Sequence, residues 1–160
     1  MTFVHYLITI ALGILPISEL RGAIPYAYFN GAPLYLASLI GFLANLLVAP
    51  LVYLFLGSLH NVFYRIWGWY RSFFDRFIQQ ARKRVERHFN KWGYIGLALF
   101  VGVPLPVTGA WTAALGSWVL GLKKKETILA ISLGVLISAI IVTLVIAFGA
   151  GVDSIFIKRF

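Results

Sequence analysis

The sequence predicts an all-α integral membrane protein made of two inverted repeats. Each repeat is a re-entrant helical hairpin followed by a transmembrane helix, and a basic amphipathic interfacial helix joins them. Three observations lead there. Of the 160 residues, 61% are hydrophobic and 12% charged, whereas a soluble domain carries about a quarter charged residues. Two uncharged stretches, Pro33 to Leu59 and Thr127 to Val152, exceed the roughly 20 residues that an α-helix needs to cross hydrocarbon. The basic residues are clustered, eight of them between His60 and Trp92 (Arg65, Arg71, Arg76, Arg82, Lys83, Arg84, Arg87, Lys91) and three as Lys123-Lys124-Lys125.

Taken in order, the first apolar segment is Thr2 to Leu15. It lacks a basic n-region and a small-residue cleavage site, so it is expected to be mature structure and not a signal peptide. Its helix would rise roughly 20 Å at ~1.5 Å per residue, short of the ~30 Å hydrocarbon core. Pro16 then breaks it. Trp92 to Val103 is equally short and is broken by Pro104 and Pro106. A short apolar helix candidate follows each break, which is the pattern of a hairpin that turns back. Full crossings would put the 60 to 92 segment and the lysine trio on opposite faces. Two hairpins put both basic clusters on one face, which the positive-inside rule makes cytoplasmic, with both termini outside.

A weak repeat fits this drawing. Arg21-Gly22-Ala23 corresponds to Thr108-Gly109-Ala110, each just past a break. The long helices that follow carry small residues at i, i+4 spacing: Ala37, Gly41, Asn45 and Ala49 in one, Ala130, Gly134 and Ser138 in the other. Such stripes let membrane helices approach closely, and inverted repeats are a common plan of secondary transporters. The whole chain, 1 to 160, reads as a single membrane domain: 1 to 59 the first repeat, 60 to 91 the cytoplasmic helix, 92 to 160 the second repeat.

Between Asn61 and Lys91, apolar residues Phe63, Ile66, Trp67, Tyr70, Phe73, Phe74, Phe77, Ile78, Ala81, Val85 and Phe89 recur at helical spacing with basic residues between them. This predicts an amphipathic helix, kinked near Gly68, with its aromatic face in the interface and its charges toward anionic lipids. Asp75 and Glu86 are expected to be solvated partners of nearby arginines. The clustering follows membrane topology, so nucleic acid is not expected as a partner.

Between Met1 and Leu59 the charged residues are Glu19 and Arg21. Charge inside an apolar segment is costly and points to function. An extended backbone between Pro16 and Pro25 would put both side chains on one side. Gly22 and Gly109 would permit tight turns at the two tips. Helix N-termini near the tips favour an anion, and the Arg21 fork suits phosphate or carboxylate oxygens. Glu19 would hold Arg21 in the empty site or take a proton. Thr108, Thr112 and the Trp111 indole would add polar partners, with Pro25, Pro104 and Pro106 breaking the helices around them. The competing reading is an architectural Glu19–Arg21 salt bridge. Asn45 and Pro50 read as packing and kink positions.

Catalysis and cofactors are not expected. There is no cysteine, His5, His60 and His88 show no metal-ligand spacing, no nucleophile, histidine and acid set is visible, and the glycines form no Walker or dinucleotide fingerprint.

The segments Glu19 to Pro25 (ELRGAIP) and Pro104 to Thr112 (PLPVTGAWT) resemble the two signature segments of the small multidrug export protein family of bacteria and archaea. Val107 departs from it, standing where the family's form has glycine. That family is in turn similar, in its hairpin-plus-helix repeat, to the DedA and VTT membrane proteins. The resemblance implies a prokaryotic plasma membrane and movement of phosphorylated lipid carriers or phospholipids. The expected function is therefore a transporter or flippase for an anionic substrate, a phosphorylated lipid or lipid carrier. The alternatives are proton-coupled export of small cationic drugs by way of Glu19, and a non-transporting membrane-shaping protein. Two crossings and two half-crossings make a thin wall, so a homo-oligomer is expected, most simply a dimer packed through a small-residue stripe.

Overall fold

The computed structural model describes residues 2–58, 64–66, 68–105 and 108–157. Its helices are, in chain order, α1 (Phe3–Ile14), α2 (Glu19–Phe29), α3 (Leu34–Leu46), α4 (Val48–Ser58), α5 (Gly68–Gly102), α6 (Ala110–Val119) and α7 (Lys124–Ile157). There is no strand among the described residues. Two spans are long and apolar enough to cross a membrane: Leu34–Ser58, of 25 residues, formed by α3 and α4, and Lys124–Gly149, of 26 residues, in α7. The break between α3 and α4 falls at Leu47, three residues before Pro50. Proline has no N–H to offer the carbonyl four residues back, so a helix loosens one turn ahead of it. At 12 residues, α1 rises only about 18 Å.

The chain divides into two compact units, Met1–Asn45 with Leu136–Phe160, and Leu46–Val135. In the first, α1 and α2 pack against each other, and small residues bring α3 close. A Cβ on Gly13 would lie 2.7 Å from that of Ala44, and one on Gly41 would lie 2.6 Å from the Ile24 side chain. The Asn45 amide donates to the Gly13 carbonyl at 3.0 Å, which is the packing role expected of it. Ser38 and Thr143 join α3 to α7 through their hydroxyls at 2.6 Å.

In the second unit, α5 is not one straight helix. At Gly93 the backbone leaves the helical region (φ 58, ψ −140), and the chain folds back. The His88 and Phe100 rings lie 4.9 Å apart, where a straight helix would separate them by about 18 Å. The sharp bend is thus at Gly93, whereas Gly68 is the first residue of α5. The amphipathic part of α5 does not turn its whole apolar face to lipid. Ala81 and Val85 are buried against α6, where Gly116 leaves space for them. Glu86 pairs with Arg82 at 3.9 Å, as expected, while Asp75 accepts a hydrogen bond from Tyr64 at 3.2 Å. Helix α6 also packs on α4, and Gly134 of α7 meets Ala98 and Val101 of α5.

Both short helices α2 and α6 end in the same cap. Gly31 (φ 91) and Gly121 (φ 68) take the left-handed conformation that glycine adopts without a Cβ penalty. Gly31 donates to Tyr28 and Ala32 to Ala27, just as Gly121 donates to Trp118 and Leu122 to Ser117, all at 3.0 to 3.1 Å. The caps recur 90 positions apart, from 31 to 121, whereas the pairing of Arg21-Gly22-Ala23 with Thr108-Gly109-Ala110 implies 87. The connection before α6 is longer than that before α2, so sequence marks near the breaks slip against the helices. The small-residue stripes are buried inside the fold: Ala37, Gly41, Asn45, Ala49, Ala130, Gly134 and Ser138 all face the protein interior. They are not free faces for a second copy.

Candidate functional site

Glu19 opens α2. Ser18 precedes it as the N-cap residue (φ −96, ψ −54), and the Gly22 amide donates to the Ser18 carbonyl at 3.2 Å. The stretch between Pro16 and Pro25 is therefore helical from Glu19 onward, and the extended backbone expected there is not present. Pro25 sits inside α2. Its missing N–H leaves the Arg21 carbonyl without its usual helical donor. Glu19 is the first residue of α2, and Arg21 follows in the same turn. Glu19 is 6% exposed, while Arg21 is half-buried.

Glu19 is also the residue whose backbone departs from the ordinary. Its φ is +50, and among the described residues no other non-glycine has a positive φ. That region costs a residue with a Cβ about 1 to 3 kcal/mol, and such strain persists only where the surroundings impose it, commonly at functional sites. Placed in the first turn of α2, the carboxylate meets the positive end of the helix dipole. Gly22 is not a turn residue. A Cβ there would collide with the Ser18 hydroxyl, so the glycine makes room for the N-cap side chain.

The second tip differs. Thr108 directs its hydroxyl at the carbonyls of Val103 and Leu105, each at 2.9 Å, and so ties the end of α5 to its own connection. Gly109 (φ 165, ψ −175) is the N-cap residue of α6, with extended backbone that any residue adopts, and no side chain caps the helix there. Thr112 is buried, and Pro104 and Trp111 are half-buried. Pro106 and Val107 lie outside the described residues. Of the expected site residues, Glu19, Arg21, Gly22 and Pro25 thus share α2 in the first unit. Pro104, Thr108, Gly109, Trp111 and Thr112 belong to the second.

The model of the family described as "Putative small multi-drug export protein" matches residues 19–141, most of the 160-residue chain. The chain belongs to that family. Its membership, with the two long apolar spans, makes this a membrane protein of the small multi-drug export group. The family match opens at Glu19 and contains both tips and both glycine caps. No curated protein and no solved structure matches the chain.

The sequence reading of this small multi-drug export family member missed Ser18. A serine directly before an acidic residue, two positions after a proline, is a recognisable helix start, and it would have placed Glu19 on a helix. Tyr53, Ser117 and Thr127 were also missed. They are single hydroxyls within apolar helices, and no spacing marks them.

Proposed function

We propose that the protein exports small organic cations across a cell membrane, with Glu19 as the carboxylate that holds a proton and a substrate cation in turn. The observation that carries this reading is the buried, conformationally strained Glu19 at the head of α2. A carboxylate within an apolar unit is costly, and one that is exchanged between proton and cation gives that cost a use. Family membership supports export as the activity. Arg21, half-buried in the same turn of α2, would adjust the field at Glu19 without holding the substrate.

An anionic lipid is the second reading, and Arg21 would then be its binding residue. It is disfavoured because the N-terminus of α2, the dipole that would attract an anion, already carries a buried carboxylate in its first turn. The two short hairpins α1–α2 and α5–α6 would enter the membrane without crossing it. Cytoplasmic basic helices, outward termini and a prokaryotic plasma membrane complete the proposal. We further propose that the protein works as a homo-oligomer. Since the small-residue stripes are buried within one chain, the copies would meet through the exposed leucine and isoleucine faces.

Inverted proteoliposomes energised with a proton gradient, assayed separately with ethidium and with labelled phospholipid and polyprenyl phosphate, test the reading. Ethidium accumulation above protein-free vesicles is expected, with no acceleration of either lipid. Lipid movement without ethidium transport would reverse the assignment. Transport of neither would favour a membrane-shaping role.

A further inference from the structure

Three buried hydroxyls of the second unit, on Tyr53, Ser117 and Thr127, have no hydrogen-bond partner. Their residues are 7%, 0% and 0% exposed. Two of them are neighbours, since the Tyr53 hydroxyl lies beside Thr127 although the pair is not in hydrogen-bond geometry. An unsatisfied hydroxyl in a dry interior costs free energy. Hydroxyls elsewhere in the same kind of helix are not left this way. Ser38 and Thr143 close on each other at 2.6 Å, and each also reaches the carbonyl four residues back.

The charges around Tyr53 and Thr127 are mainly cationic: three lysines stand against Glu126, whose carboxylate lies 3.9 Å from the Lys123 ammonium. The Lys124 ammonium lies over the Tyr53 ring, 5.8 Å from its centre. The Lys123 amide donates to the Tyr94 hydroxyl at 3.3 Å, which anchors the start of α7 beside the bend at Gly93. The apolar span begins at Lys124, so the lysine trio stands at the membrane boundary and Thr127 about one helical turn deeper. Tyrosine and threonine hydroxyls, an ammonium and the first-turn amides of a long helix are all donors, and together they suit an oxyanion. A metal cation would meet three lysines and one carboxylate, that of Glu126, which already pairs with Lys123. The hydroxyls are fixed on helices, while the four-carbon stem of Lys124 can swing from the ring face to a ligand.

We propose that the head of α7 is a binding site for phosphate oxygens, formed by Tyr53 Oη, Thr127 Oγ1 and Lys124 Nζ together with the first-turn amides of α7. The site has the opposite charge preference to Glu19 and is independent of the export reading. Its ligand is either a lipid phosphate in the facing leaflet or free phosphate from solution.

The test uses the full chain in phosphatidylcholine nanodiscs, with phosphatidate in the bilayer in one arm and inorganic phosphate in solution in the other. Ligand retained per chain is read by native mass spectrometry. Tyr53→Phe and Thr127→Val remove only an oxygen or exchange it for a methyl, and Lys124→Gln removes the cation. Each is expected to weaken binding about tenfold, as loss of a charge-assisted hydrogen bond does. Lys125→Gln removes equal charge from the same cluster and should change it little. Loss in the phosphatidate arm assigns a lipid headgroup, and loss in the solution arm assigns free phosphate. Removing an unsatisfied hydroxyl does not threaten folding, so Tyr53→Phe alone keeps the test decisive should Thr127→Val misfold. Unchanged binding in Tyr53→Phe and Lys124→Gln, or equal loss in Lys124→Gln and Lys125→Gln, would overturn the site and leave only surface charge.

Discussion

The two hairpins end alike and begin differently. At their C-terminal ends, α2 and α6 carry the same glycine cap with the same pair of backbone hydrogen bonds, and buried alanines line both: Ala23 and Ala27 in α2, Ala113 and Ala114 in α6. At their N-terminal ends, α2 opens on a buried acid in a left-handed backbone, while α6 opens on an extended glycine preceded by a threonine that bonds its own loop. The two hairpins share their C-terminal caps, and the ionisable, strained element occurs in the first of them. In the second tip the Thr108 hydroxyl closes the α5–α6 connection on the carbonyls of Val103 and Leu105.

The largest effect that would sharpen this contrast comes from the helix contacts. Gly116 faces the backbone of Ala81, with a Cβ placed 2.7 Å from its carbonyl oxygen, whereas a Cβ on Gly13 would meet the side chain of Ala44. Backbone yields less than a methyl, so Gly116→Ala should cost about 1 to 3 kcal/mol and Gly13→Ala less. Thermal unfolding in detergent checks the order, and a larger loss at Gly13 would break it. Thr108→Val should then remove about 1 kcal/mol through its lost hydrogen bonds, with transport retained by the folded fraction. Transport abolished at full stability would make Thr108 a site residue.

Gly31→Ala and Gly121→Ala should each cost about 1 kcal/mol for a forced left-handed alanine, and by the same amount if the two caps are equivalent. Unequal shifts in melting temperature would show that one cap carries additional packing. The smallest change is expected at Arg82→Ala, because an exposed ion pair one helical turn apart contributes only about 0.3 to 0.5 kcal/mol.

Much of this fold was legible in the residues because hydrophobic length and proline position are local signals. The spans Pro33 to Leu59 and Thr127 to Val152 lie close to Leu34–Ser58 and Lys124–Gly149, and the short segments stop near Pro16 and Pro104. The interior of the first tip was not legible. Pro16 and Pro25 suggested extended chain, yet proline is tolerated inside α2 because the helix needs only to spare the Arg21 carbonyl. Which glycines turn the chain was misjudged too. Gly22 stands beside the charged pair and Gly109 in the uncharged second segment, but the left-handed positions are Gly31, Gly93 and Gly121, where helices end or bend. The small-residue stripes were recognised, but a periodicity does not say which helix it faces, and here it faces the chain's own neighbours. Strain at Glu19 and the open hydroxyls at Tyr53 and Thr127 are products of three-dimensional packing and leave no mark in sequence.

The central claim is that function resides in Glu19 and not in Arg21. It is tested most directly by ethidium export from one reconstitution series comparing the native chain, Glu19→Gln and Arg21→Gln, with equal incorporation verified. Glu19→Gln is expected to fall to the level of protein-free vesicles while Arg21→Gln keeps substantial export. Full export by Glu19→Gln, or its loss in Arg21→Gln alone, would contradict it.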